Sequence, residues 1–216
     1  MSDVNKMYTY LRGFITGARL SNSMRALSFM RKKHDGQTRK DGTPYIVHPL
    51  AMACYALAIG VTDDITIATI LLHDVVEDCN TSLKELPVDD EVKAAVKHMT
   101  ITSFDTDVDK IETKCRYFNE LLDCPSAVIC KALDRYNNLS DAVSSFSSDA
   151  LAKNLVETDF LLLPVLYDAK QNYPELADVL FVLRTNLETL IYALKPNVLV
   201  EYEKWQSVYN RVNKNI

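Results

Sequence analysis

His73, Asp74, Glu77 and Asp78 lie in the second half of the run "IATILLHDVVEDCN", and the stretch before Leu72 is apolar (Ile65, Ile67, Ala68, Ile70, Leu71) apart from two threonines. A helix this apolar is a buried one, and ionised carboxylates are costly to bury unless a partner or a metal compensates them. On an α-helix His73 and Glu77 are one turn apart, and so are Asp74 and Asp78, which predicts all four along one stripe. Neighbouring carboxylates repel unless they share a cation or a proton. A bound divalent ion meets that need, with His73 and Asp74 reaching it and Glu77 and Asp78 acting beside it.

Two ligands are too few to fix an ion, and the chain offers others. "YIVHP" supplies His48, and "ICKALDRYNNLSD" supplies Asp134, with Asn138 one turn further on. His48, His73, Asp74 and Asp134 form a mixed imidazole and carboxylate set, suited to a borderline first-row ion such as Mn²⁺ or Fe²⁺ rather than to a thiolate-type structural site. A lone His-Asp pair is more often a surface or capping feature. The second acid pair and the spaced partners favour the metal reading here.

Helical periodicity supplies the elements that must position these groups. Asp3 is placed to cap a first helix carrying Met7, Tyr8, Leu11 and Ile15, and Ser21 or Asn22 a second carrying Leu27, Met30 and Arg31. "HDGQTRKDGTPYIVHP" then breaks the pattern: Asp41-Gly42 predicts a tight turn, and Pro49 suits the first turn of a helix, with His48 at its entrance. Further helices are expected near 49–60, 64–77, 89–99, 107–123, 125–145, 148–170, 174–194 and 196–213. Ser82 and Glu85 have capping-box spacing for a short helical turn. Tyr8, Phe14, Phe118, Phe160 and Leu161–Leu163 are expected in the core, and His98 on a solvated helix face. No strand-like alternation, repeat or linker stands out. The expectation is a single all-α domain over 1–216, with a motif-bearing core near 25–145 and C-terminal helices near 148–213.

The 216 residues are 48% hydrophobic and 25% charged, ordinary for a globular protein. A net charge of −5 and pI near 5.4 give no electrostatic case for duplex nucleic acid or an anionic membrane surface. No apolar run approaches the roughly 20 residues that span a bilayer, and "MSDVNKMYTYLRGF" lacks the features of a secretory signal. Five scattered cysteines without metal-type spacing fit a reduced, cytoplasmic protein.

Three segments, "HDGQTRKDGTPYIVHPLAMA", "TIATILLHDVVEDCNTS" and "KALDRYNNLSDA", in that order and spacing, resemble the hydrolase domain of the RelA/SpoT proteins. They are more similar still to the small stand-alone alarmone hydrolases, the Mesh1-like branch of the HD-domain phosphohydrolase superfamily. The similarity is dense from His34 to Ala142 and weaker in "NLVETDFLLLPVL". It implies an all-α HD-domain bundle with a metal site between helices. His48, His73, Asp74 and Asp134 match the family's metal ligands, usually for Mn²⁺, with Fe²⁺ or Zn²⁺ as alternatives. Glu77 and Asp78 match the catalytic acid pair. Arg39 and Lys40, which without the resemblance would read as a solvated loop, match a basic pair that contacts the nucleotide, and Asn138 an asparagine that holds it. His34 matches a family position that we read as structural.

The resemblance implies hydrolysis of the 3′-pyrophosphate of guanosine tetra- or pentaphosphate to GDP or GTP, by a hydrolase with no attached synthetase. Alternatives within the enzyme class are adenosine alarmones, a pyrophosphorylated tRNA end, or NADPH; outside it, a non-catalytic nucleotide-binding HD protein. The sequence leaves open whether the chain forms a homo-oligomer. It departs from the family in two places: "HMTITS" stands where bifunctional members carry a Gly-Val-Thr-Lys-like segment, and Asp141 replaces a common neutral residue.

Overall fold

The computed structural model describes residues 3–39, 41–100, 107–142 and 146–213, with the side chains of 107–110 and 212–213 excluded. Lys40, the "ITS" of the departing "HMTITS" segment, and 143–145 at the end of one expected helix lie outside the described residues. The fold is all-α. In chain order it comprises α1 (Asp3–Ala18), α2 (Ser21–Lys33), α3 (Val47–Ala58), α4 (Asp64–Leu72), α5 (Val75–Asp78), α6 (Asp90–Met99), α7 (Asp107–Glu120) and α8 (Pro125–Ser140). Then follow α9 (Ser148–Glu157), α10 (Leu163–Asn172), α11 (Ala177–Leu194) and α12 (Leu199–Asn213). An isolated bridge between Thr38 and Pro44 is the extended pairing found among the described residues.

The central element is α4. Every residue from Thr66 to Leu72 is buried, and α2, α3, α6 and α8 pack around it. Its entrance is fixed twice. Asp63 caps it by accepting from the Thr66 amide at 2.7 Å. Asp64 reaches back to α2, accepting from the Asn22 amide at 2.9 Å and the Ser23 amide at 2.7 Å. The N-terminal amides of α2 are therefore satisfied from another helix, not by Ser21 or Asn22 as local sequence predicts. Asp3 likewise belongs to the first turn of α1 rather than preceding it.

The helix expected over 64–77 is interrupted at His73-Asp74. α4 ends at Leu72, Asp74 lies at φ −96°, ψ −7°, and α5 resumes at Val75. Consecutive residues on a regular helix point about 100° apart and cannot aim at one spot. The irregular turn at Asp74 lets His73 and Asp74 converge. The single stripe is thereby lost: His73 is buried and Asp74 half-buried, whereas Glu77 and Asp78 are exposed. Asn80, in the left-handed region at φ +45°, ends α5.

The hairpin-like loop before α3 forms as expected. Asp41 Oδ1 accepts from the Thr43 amide at 3.0 Å and its hydroxyl at 2.7 Å, and Gly42 takes φ +84°. α3 starts at Val47, earlier than Pro49, which is harmless because first-turn amides have no intrahelical acceptor. Ser82 and Glu85 make the predicted capping box around a 3₁₀ turn. The long helix expected over 148–170 is divided by a π-helical segment at Thr158–Leu162. Pro164 lies just beyond it and offers no amide to the preceding turn, so the ladder re-registers there. Phe118, Leu161 and Leu162 are in the core; Tyr8, Phe14, Phe160 and Leu163 pack against its edge, half-buried.

Behind α8, Glu157 joins four helices. It accepts from Lys114 of α7, from Arg135 of α8 at 3.3 Å and from Tyr209 of α12 at 3.0 Å. No helix among the described residues is long and apolar enough to cross a membrane.

Candidate metal centre

Four side chains from three places in the chain meet beside the end of α4. His48 enters from the first turn of α3, His73 and Asp74 from the break after α4, and Asp134 from α8. Ligand atoms of His48, His73 and Asp74 lie within 4.8 Å of one another. Asp134 Oδ1 is 3.4 Å from His48 Nε2 and 4.0 Å from His73 Nε2. Asp74 Oδ2 is 3.0 Å from His73 Nε2 and 3.7 Å from His48 Nε2.

The hydrogen bonds at the far side of each ring decide what the near side can do. His48 Nδ1 is 2.7 Å from Asn137 Oδ1, and His73 Nδ1 is 2.9 Å from the Ile70 carbonyl. Both partners are acceptors, so both Nδ1 atoms carry hydrogen. In the neutral rings the Nε2 atoms then present bare lone pairs, and these face each other at 3.2 Å. Two lone pairs and two carboxylate oxygens around one point form a donor set for a cation. The residues fit a divalent ion, with second partners that orient the imidazoles as metal-ligating histidines require.

Without an ion, a proton fills part of that role. Burial opposes the charged form of His73, yet Asp74 and Asp134 outweigh it and push the imidazole up to about 9. Burial also opposes charge on Asp74, and His73 overcomes it, holding that carboxyl below the usual carboxylate range. Asp134 is held well down against burial, chiefly by Lys131 and the two histidines.

Several partners escape a sequence reading. The Tyr45 hydroxyl donates to Asp74 Oδ2; its ring stacks on His34 at 4.6 Å, and His34 is pinned in turn by Gln37 at 2.7 Å. Lys131 Nζ is 2.9 Å from Asp134 Oδ2, and Asn138 Nδ2 donates to Asp134 Oδ1 at 2.6 Å. A tyrosine inside "YIVHP" or a lysine one turn before Asp134 has no signature until the helices pack.

Glu77 and Asp78 are exposed, in the short helix that follows the His-Asp pair. Arg39 lies along the C-terminal part of α8, with Nη1 2.9 Å from Asp141 Oδ2 and 3.4 Å from Asn137 Oδ1, and Nη2 3.4 Å from Asn138 Oδ1. Asp141 is thus the partner that holds Arg39. His98 is half-buried rather than fully solvated and lines a cavity of about 490 Å³ with Val76, Lys97 and Tyr117.

A family profile described as HD domain (HD_4) matches residues 26–116. The human guanosine-3′,5′-bis(diphosphate) 3′-pyrophosphohydrolase MESH1 is 34% identical over 131 residues, covering 58% of this chain and 72% of MESH1. The chain belongs to the MESH1 family. A longer relative is matched over only part of its length. The guanosine-3′,5′-bis(diphosphate) 3′-pyrophosphohydrolase of Aquifex aeolicus is 29% identical over 195 residues, covering 89% of this chain and 26% of its own length. A solved structure described as a metazoan ortholog of SpoT that hydrolyses ppGpp superposes with TM-score 0.63 at 21% identity, covering 80% of this chain and 95% of that one. That likeness shows a shared fold.

Proposed function

We propose that this MESH1-family chain is a metal-dependent enzyme that removes pyrophosphate from the 3′ position of guanosine tetra- or pentaphosphate, giving GDP or GTP. The observation that carries the metal requirement is the pair of Nε2 lone pairs facing at 3.2 Å between two carboxylates. The reaction is carried by similarity to proteins named for it, over 72% of the length of human MESH1.

In this reading His48, His73, Asp74 and Asp134 hold one divalent ion, Mn²⁺ by preference for a mixed imidazole and carboxylate set. When bound, such an ion lowers the pKa of water and offsets charge on phosphoryl oxygens. The chain's own groups do the rest. Glu77 and Asp78, exposed in the helix after the His-Asp pair, orient the attacking water, take its proton and return one to the departing 3′ oxygen. Arg39, Lys40 and Asn138 bind the nucleotide, Arg39 with its guanidinium plane already oriented by Asp141 and Asn137. We read 1–216 as one HD-type unit that works in the cytoplasm on a small nucleotide, without membrane or duplex nucleic acid.

The test is product release from guanosine and adenosine 3′-pyrophosphates and from NADPH, each with added Mn²⁺. Pyrophosphate from the guanosine substrates supports the proposal. Phosphate from NADPH alone keeps the centre and overturns the substrate.

A further inference from the structure

Lys131 is an unexpected neighbour for a metal ligand. Its ammonium is 2.9 Å from Asp134 Oδ2, with the two side chains only 16% and 12% exposed. Among the described residues its ion-pair partner is Asp134, and its ammonium lies 5.9 Å from the centre of the Tyr117 ring. The two oxygens of Asp134 are therefore differently employed. Oδ1 faces His48 and His73 and takes the Asn138 amide; Oδ2 turns away to Lys131.

We propose that Lys131 confines Asp134 to single-oxygen ligation and leaves the loaded centre with one positive charge to spare, which a phosphoryl oxygen of the substrate satisfies. This rests on the metal reading given under Proposed function. Two carboxylates and two neutral imidazoles cancel the charge of a divalent ion, so the substrate anion would meet a neutral ligand set. A buried ammonium beside one ligand restores attraction for an anion and weakens the pull of that ligand on the ion. Lys131 thus trades metal affinity for anion affinity. A lysine that merely covered a buried aspartate would give neither effect: its loss would disorder Asp134 and loosen the ion.

The experiment is calorimetric titration of chelator-stripped protein with Mn²⁺, then of the loaded protein with inorganic phosphate, for wild type, Lys131→Met and Lys131→Arg. Lys131→Met is expected to bind Mn²⁺ about ten-fold more tightly and phosphate about ten-fold more weakly, with Lys131→Arg near wild type in both. Mn²⁺ binding unchanged or looser in Lys131→Met, or phosphate binding undiminished, would overturn the proposal. Absence of Mn²⁺ binding in the wild type overturns the metal reading itself and this inference with it. Circular dichroism checks folding; if Lys131→Met is unfolded, Lys131→Gln is judged by the same criteria.

Discussion

His48 and His73 face each other through their Nε2 atoms at 3.2 Å while each donates Nδ1–H to an acceptor behind it, Asn137 for His48 and the Ile70 carbonyl for His73. In the ion-free protein this arrangement takes up a proton, and His73 lies near 9 against an ordinary 6.5. The imidazolium's contribution to stability is fully present below about pH 6.5 and is lost as pH rises through about 9. An entering ion must displace that proton. Mn²⁺ affinity is therefore expected to climb by about ten-fold per pH unit toward 9. Calorimetry in buffers of differing protonation enthalpy counts the protons released; no release near pH 7 would contradict this reading of the pair.

Tyr45→Phe removes the hydroxyl that holds Asp74 Oδ2 but keeps the ring stacked on His34. Loss of such an orienting partner is expected to weaken Mn²⁺ binding by about ten-fold or more while leaving the melting temperature nearly unchanged. Paired metal titrations and thermal melts check this. A large drop in melting temperature with unchanged metal affinity would make Tyr45 a packing residue only.

Asp64 ties α4 to the first turn of α2, and its bonds from Ser23 and Asn22 hold its carboxyl down against burial. Asp64→Asn replaces one of the two accepting oxygens with an NH₂ group facing a backbone amide and is expected to lower stability by about 1–2 kcal/mol. The carboxylate's contribution is present above its unfolded value near 3.8 and is lost as pH falls through the lower folded value. The difference between wild type and variant in urea unfolding should accordingly narrow in acid. A constant difference down to low pH would show that the ionised form is not what stabilises the contact.

Glu157 compensates Lys114 and Arg135 in the interior. Glu157→Gln leaves both cations without their carboxylate and is expected to cost about 3 kcal/mol in urea unfolding. A cost under about 1 kcal/mol would mean that water or a relaxed side chain takes its place.

Much of this fold follows from local pattern. α4 reads as buried because its residues are apolar on every side, and Asp41-Gly42 and the Ser82–Glu85 box act within their own few residues. His48 and Asp134 stand out by type, set among apolar or proline-rich neighbours. What could not be read locally depends on convergence. The turn at Asp74 exists so that adjacent residues can point to one place, a requirement set by α3 and α8. Asp64 caps α2 because two distant helix ends meet. Tyr45, Asn137 and Lys131 gain their roles from the partner presented to them, and Arg39 is held by a residue about a hundred positions away.

The most direct test is pyrophosphate release from guanosine 3′,5′-bis(diphosphate) by wild-type protein stripped with chelator, restored with Mn²⁺, and compared with folded Asp74→Ala. The account predicts no release when stripped, recovery with Mn²⁺, and none from Asp74→Ala under either condition. Release that persists in chelator, or in Asp74→Ala, would contradict it.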